Sequence, residues 1–198
     1  ASSVMANEAI VYASALGIAT VYTDHSLFGC DDLAGVLLNR TLQTTLSTVD
    51  AAIAVSSVCR ENLILRARLD PSAVQRVPNA VHAGKFLPDP SKRTPGRVTV
   101  VVVSRLVYRK GVDLLVEIVP RICERFDAVD FLIGGSGSKM LDLQEMVERE
   151  RLEDRVTFLG ALAHEQVRDT LVQGDIFLNC SLTESFCIAI QNDSVKEQ

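Results

Sequence analysis

The sequence predicts an α/β protein built on parallel sheets, and three observations carry that prediction. Seven short apolar runs rich in valine, isoleucine and phenylalanine alternate with six segments whose apolar residues recur at helical spacing. The run 98–103 (VTVVVV) is apolar on both faces, as a strand covered from both sides must be. Regular strand–helix alternation, finally, predicts right-handed βαβ crossovers with helices on both faces of a sheet.

In chain order, the spacing predicts a helix over 4–16, a strand over 20–23, a helix over 31–48 and a strand over 51–55. A helix over 57–68 and a strand over 74–77 follow. Residues 82–97 (HAGKFLPDPSKRTPGR) hold three prolines, two glycines and four Lys/Arg, the composition of a linker. The pattern then resumes: strand 98–103, helix 112–125, strand 129–133, helix 139–151, strand 156–159, helix 164–172 and strand 175–180. Two α/β units are thus expected, 1–81 and 98–190, each too short for a full doubly wound domain. The polar end 191–198 is expected to fray.

A hydrophobic content of 47% beside 23% charged residues is that of a globular chain. A net charge of −5 argues against a nucleic-acid surface. The five cysteines are scattered without a C-x-x-C pair, so neither a disulfide nor a zinc framework is expected, and a reducing compartment fits. Of the three sequons, at Asn39, Asn179 and Asn192, the first two lie inside apolar periodic segments and read as chance matches. No apolar run is long enough to span a membrane, and the segment after Ala1 lacks the layout of a signal peptide. It is expected to be an internal stretch of something longer.

Ligands of open α/β sheets bind beyond the carboxyl ends of the strands. The strand 98–103 ends in Ser104 and Arg105, and Arg109, Lys110 and Gly111 precede the next helix. Arg105 with Lys110 could grip a diphosphate, the guanidinium by its fork and the ammonium as a point charge; a solvated loop explains the same residues equally well. Gly134, Gly135 and Gly137 in IGGSGSK would let backbone approach an anion at a helix start, although a tight turn is the commoner explanation. In NCSLTESFCIAI, Thr183 is expected to cap a helix with Glu184 in its first turn, where a carboxylate is ordinary but could also accept sugar hydroxyls. Asp24 and His25 end a strand of the first unit; such a histidine can orient a substrate and is more often structural. No aspartate pair suggests a metal.

In order and spacing, YTDHSLFG, VPNAV, VVVSRLVYRKGVDLL, IGGSGSK, FLGAL and DIFLNCSLTESFCIAI resemble the retaining glycosyltransferases of the two-Rossmann-domain (GT-B, family 4) type. More narrowly, they are similar to the catalytic-subunit family of phosphatidylinositol N-acetylglucosaminyltransferase, which opens GPI-anchor synthesis. The resemblance covers roughly 1–190. It implies two Rossmann-type domains, both incomplete here: the end of an acceptor-side domain in 1–81 and the start of a nucleotide-sugar domain in 98–190, with 191–198 divergent.

The donor implied is UDP-N-acetylglucosamine and the acceptor phosphatidylinositol, with no cofactor and no metal. Arg105 and Lys110 match the positions that grip the diphosphate and stabilise departing UDP. Gly135 and Gly137 match the turn beside the nucleotide. Glu184, with Ser185 and Phe186 behind it, matches the donor segment opening the E-x7-E motif. His25 matches the histidine near the reacting carbon, and Val77–Ala80 the crossover between domains. The sequence departs where the second glutamate should hold the ribose, for that position is Asn192. The resemblance further implies partner subunits of a transferase complex and the cytosolic face of the endoplasmic reticulum membrane. A non-catalytic nucleotide-sugar-binding or assembly subunit, or another retaining transferase such as a mannosyl- or sucrose-related one, fits the same motifs.

Overall fold

The computed structural model describes residues 4–27, 33–80 and 86–187. The chain forms two compact units. The first comprises the described residues through Ala80 together with Glu184–Phe186; the second runs from Phe86 to Thr183 and takes in Cys187.

The first unit contains α1 (Val4–Ala15), β1 (Val21–Asp24), α2 (Leu33–Leu46), β2 (Ala51–Ala54), α3 (Ser57–Ala67) and β3 (Val74–Arg76). The three strands form a parallel sheet in the order β1-β2-β3. β2 alternates half-buried and buried residues, and alanine at its buried positions 52 and 54 lets helices approach closely. α3 starts cleanly because the Ser56 hydroxyl accepts the Cys59 N–H at 3.0 Å. Its inward stripe is Cys59, Leu63, Arg66 and Ala67. The apolar members of that stripe join Leu42, Leu46, Val55 and Val74 in one core.

The second unit holds β4 (Val98–Val103), α4 (Val112–Arg125), β5 (Val129–Gly134), α5 (Met140–Glu150), β6 (Val156–Gly160), α6 (His164–Leu171) and β7 (Ile176–Phe177). Its sheet is parallel in the order β6-β5-β4-β7. The valines of β4 explain that central place. Val100 and Val102 pack with Phe131 and Ile133 beneath Leu115 and Val119 of α4 and Leu143 and Met146 of α5. Val101 points the other way, to Phe86, Leu132 and Leu171. Successive valines therefore fill opposite layers, as the two-sided apolar run predicted.

Two expectations need correcting. The stretch 82–97 is not a free linker where it is described: Phe86 is buried against Val101 and Leu171, and Arg168 donates to the Leu87 carbonyl at 3.1 Å. Arg97 pairs with Asp130, which Arg155 also holds at 3.0 Å. Apolar and ion-pairing residues inside the Pro/Gly-rich stretch outweigh its loop composition. Second, among the described residues no helix starts at Thr183 or Glu184. The Asn179 side chain instead accepts the N–H and hydroxyl of Ser181, at 3.1 and 2.8 Å, and bends the chain there.

Candidate functional site

The sheet of the second unit reverses direction at β4. From β4 the chain moves to β5 and β6 on one side, then returns to place β7 on the other. The loops after β4 and β7 therefore diverge at a topological switch point, where open α/β sheets hold their ligands.

Three loops at that edge are locked together through main chain. Ser104 N–H donates to the Gly134 carbonyl at 3.1 Å, Leu106 N–H to Ser136 at 2.9 Å, and Lys139 N–H to Leu106 at 2.9 Å. A Cβ on Gly137 would lie 2.2 Å from the Leu106 carbonyl oxygen, and one on Gly135 would lie 1.8 Å from that of Ser104. A Cβ on Gly111 (φ +70°), between the turn Tyr108–Lys110 and α4, would likewise lie 1.8 Å from the Cys180 carbonyl oxygen. Leu182 N–H donates to the Arg109 carbonyl at 3.0 Å, and the Arg109 guanidinium donates to the Thr183 hydroxyl at 3.1 Å. The glycines thus have a packing reason: only a residue without Cβ allows backbone to meet backbone at these separations.

Arg105 stands exposed on this frame, and Lys110 is half-buried and already engaged in an interaction. Lys139, the remaining cation of the glycine loop, bridges Asp142 at 2.7 Å and Asp113 at 3.0 Å, which raises its pKa well above the usual lysine range. It ties the start of α5 to the first turn of α4. The structure therefore brings Arg105, Lys110, Gly135 and Gly137 onto one sheet edge, with the amide end of α4 opening beside Gly111.

The other expected residues gather in the first unit. His25 is exposed just beyond β1, and the Ser185 hydroxyl donates to its carbonyl at 2.6 Å. Phe186 packs on the core of that unit, and Glu184 is half-buried and partnered. Asn192 lies outside the described residues. Among the described residues, no group of three His, Cys, Asp or Glu side chains is placed to hold a metal ion.

One feature escaped the sequence reading. Asp24 is 4% and Arg66 5% exposed, and they pair at 2.7 Å beneath His25. Burial pushes the Asp24 carboxyl up from its ordinary value while Arg66 pulls it down. Burial, with the Asp24 charge behind it, pushes the neighbouring Tyr22 phenol up to about 12. The clue was positional: Arg66 falls on the buried stripe of α3, where an arginine needs a partner.

Comparison with known proteins adds the relationships. Residues 85–192 match the family described as glycosyl transferases group 1, and residues 1–32 match PIGA (GPI anchor biosynthesis). The chain is 51% identical over 188 residues to a human subunit of phosphatidylinositol N-acetylglucosaminyltransferase, covering 95% of this chain and 39% of the human one. It is 48% identical over 184 residues to the gpi3 subunit of the same transferase from Schizosaccharomyces pombe, covering 93% of this chain and 40% of that one. The chain therefore spans about two-fifths of the length of these curated relatives. Anabaena Alr3699/HepE, solved with UDP and glucose, aligns with a TM-score of 0.80 at 18% identity, over 96% of this chain and 55% of that one. Sucrose-phosphate synthase from Thermosynechococcus elongatus aligns at 0.73 and 21% identity, over 89% of this chain and 48% of that one. At such identities the structures speak for the fold. The family match covers more than half of the sequence and falls on the glycine-locked sheet edge, and the chain belongs to the group 1 glycosyl transferases.

Proposed function

We propose that this chain is part of a transferase that moves N-acetylglucosamine from UDP-N-acetylglucosamine to phosphatidylinositol, the first step of GPI-anchor synthesis. The observation that carries the reading is the cation-bearing loop 104–111 at the switch point of the second sheet. The names of relatives 43–51% identical to the chain supply the sugar and the lipid.

Arg105 and Lys110 then face the diphosphate. As the glycosidic bond breaks, negative charge grows on the β-phosphate, and two fixed cations with the amides of α4 stabilise it. They do the electrostatic work a metal would otherwise do. Glu184, with Ser185 and Phe186, contacts the donor sugar and phosphates, and His25 serves the reacting carbon. Asn192 offers the ribose a neutral hydrogen bond where the family has a carboxylate. The complete protein works with partner subunits on the cytosolic face of the endoplasmic reticulum membrane. Among the described residues no helix is long and apolar enough to cross that membrane.

The test is a transfer assay on the complete gene product. Each charge-assisted contact contributes roughly 1.5–3 kcal/mol, so Arg105→Ala and Lys110→Ala should each lower turnover about 10- to 150-fold. Both should weaken UDP binding, and Arg105→Lys should rescue only in part because the fork is lost. Near-wild-type transfer by the double alanine variant would overturn the reading.

A further inference from the structure

The main chain around His25 is held at every turn. Asp24 Oδ1 accepts the Ser26 N–H at 3.1 Å, closing a tight turn whose middle residue is His25. Asp24 Oδ2 accepts from Arg66 Nη2 at 2.7 Å, across 42 residues. The Cys59 thiol lies 3.4 Å from the Asp24 carbonyl oxygen and 3.7 Å from that of Ser26, and the Ser185 hydroxyl donates to the carbonyl of His25 itself. A buried ion pair adds little net stability over a well-packed apolar pair, because desolvating two charges offsets their attraction. What this one does that leucine and methionine could not is fix the carboxylate as acceptor for one particular amide.

We propose that Asp24 and Arg66 are positioning residues for the transfer step, their buried pair holding the turn that presents His25. The inference rests on the proposed role of His25. Arg66 anchors the Asp24 side chain from α3, and Asp24 converts that anchor into backbone geometry one residue away. Neither touches the donor. A displacement of about 1 Å in a reacting group can cost on the order of 100-fold in rate, so loss of the turn should appear in turnover and leave donor affinity alone.

The experiment compares two charge-neutral double variants of the complete gene product. Asp24→Asn with Arg66→Met keeps an acceptor oxygen for Ser26; Asp24→Leu with Arg66→Met removes it. The first should keep turnover within several-fold of wild type. The second should lose about 30- to 100-fold in kcat at unchanged KM for UDP-N-acetylglucosamine, with thermal transitions of the two variants close together. Equal kcat in the two would show a merely structural pair and overturn the proposal. If the leucine variant does not fold, Ser26→Pro removes the accepted amide hydrogen and leaves both members of the ion pair in place, with Ser26→Ala as the control for the lost hydroxyl. The proline variant should lose turnover at unchanged donor KM, and wild-type kcat there overturns the proposal equally. His25→Ala separates the underlying reading: wild-type turnover in that variant removes the role of His25 itself. A slow His25→Ala beside an active leucine variant removes only the positioning role of Asp24 and Arg66.

Discussion

Gly135→Ala should unlock the sheet edge of the second unit, and the structure gives the size of the effect. Gly135 has φ +139°, a conformation that other residues adopt at a cost of about 1–3 kcal/mol. Its added Cβ would lie 1.8 Å from the Ser104 carbonyl oxygen, where real contacts do not fall below 3.0 Å, so one loop must move by more than an ångström. Three main-chain hydrogen bonds resist that shift: Ser104 to Gly134, Leu106 to Ser136, and Gly135 to Gly160 at 2.7 Å. Losing two at about 1 kcal/mol each, beside about 2 kcal/mol of backbone strain, gives about 4 kcal/mol. At about 2–4 °C per kcal/mol for a chain of this size, the thermal midpoint of the chain should fall by roughly 8–16 °C. Gly96→Ala is the control, because φ there is +79° and nothing lies within 4 Å of the new methyl. That variant carries strain alone, about 1–2 kcal/mol, and should shift the midpoint by roughly 2–8 °C. Thermal unfolding of both variants decides the matter. Equal shifts would mean that the two loops part without cost and that the backbone lock is not real.

Two further outcomes can be measured on the same protein. Hydrogen bonds from Arg97 and then Arg155 hold the Asp130 carboxyl below its ordinary 3.8, so its contribution is present above that pH and lost as acid titrates it through the lower native value. Asp130→Asn should therefore flatten the loss of denaturant midpoint below about pH 4, and an unchanged acid slope would count against the pair. In the first unit Met5, Tyr12 and Leu16 of the α1 region are 78%, 70% and 75% exposed. The purified chain should bind an apolar dye there, and Tyr12→Glu with Leu16→Glu should abolish most of the fluorescence; undiminished signal would place the dye elsewhere.

Much of this architecture was legible because period and burial coincide. The valine run 98–103 announced a strand with two covered faces, and β4 has one layer of valines above and another below. Where single side chains overrule periodicity, the reading failed. Strand 175–180 shrinks to Ile176–Phe177, since Leu178 donates its last ladder bond to Val101 and Asn179 then bends the chain. Thr183 looked like a helix cap, yet its hydroxyl accepts from Arg109, a partner 74 residues away that no local pattern reveals. Strand-end logic singled out Arg105 and Lys110 at the sheet edge, whereas the pairing of Asp24 with Arg66 spans 42 residues and leaves only the oddity of an arginine in an apolar stripe. The glycines at 135 and 137 were visible as a motif, but their packing partner, the main chain of 104–106, was not.

The backbone-to-backbone contacts at that sheet edge also restrict how such a protein can change. Loops normally absorb insertions and deletions, because their neighbours are solvent. Here the neighbours of 104–111 are the main chains of 134–139 and 180–182, so a residue added to either would have to displace 104–111, and one added to 104–111 would have to displace a main chain packed on it. Length is thereby frozen, and under the proposed function new donor preferences would arise by exchanging side chains on a fixed frame. Arg105, Ser136 and Ser138 are exposed on that frame. To test the proposed donor site, a library built to alter the sugar nucleotide should vary those three and leave loop lengths untouched.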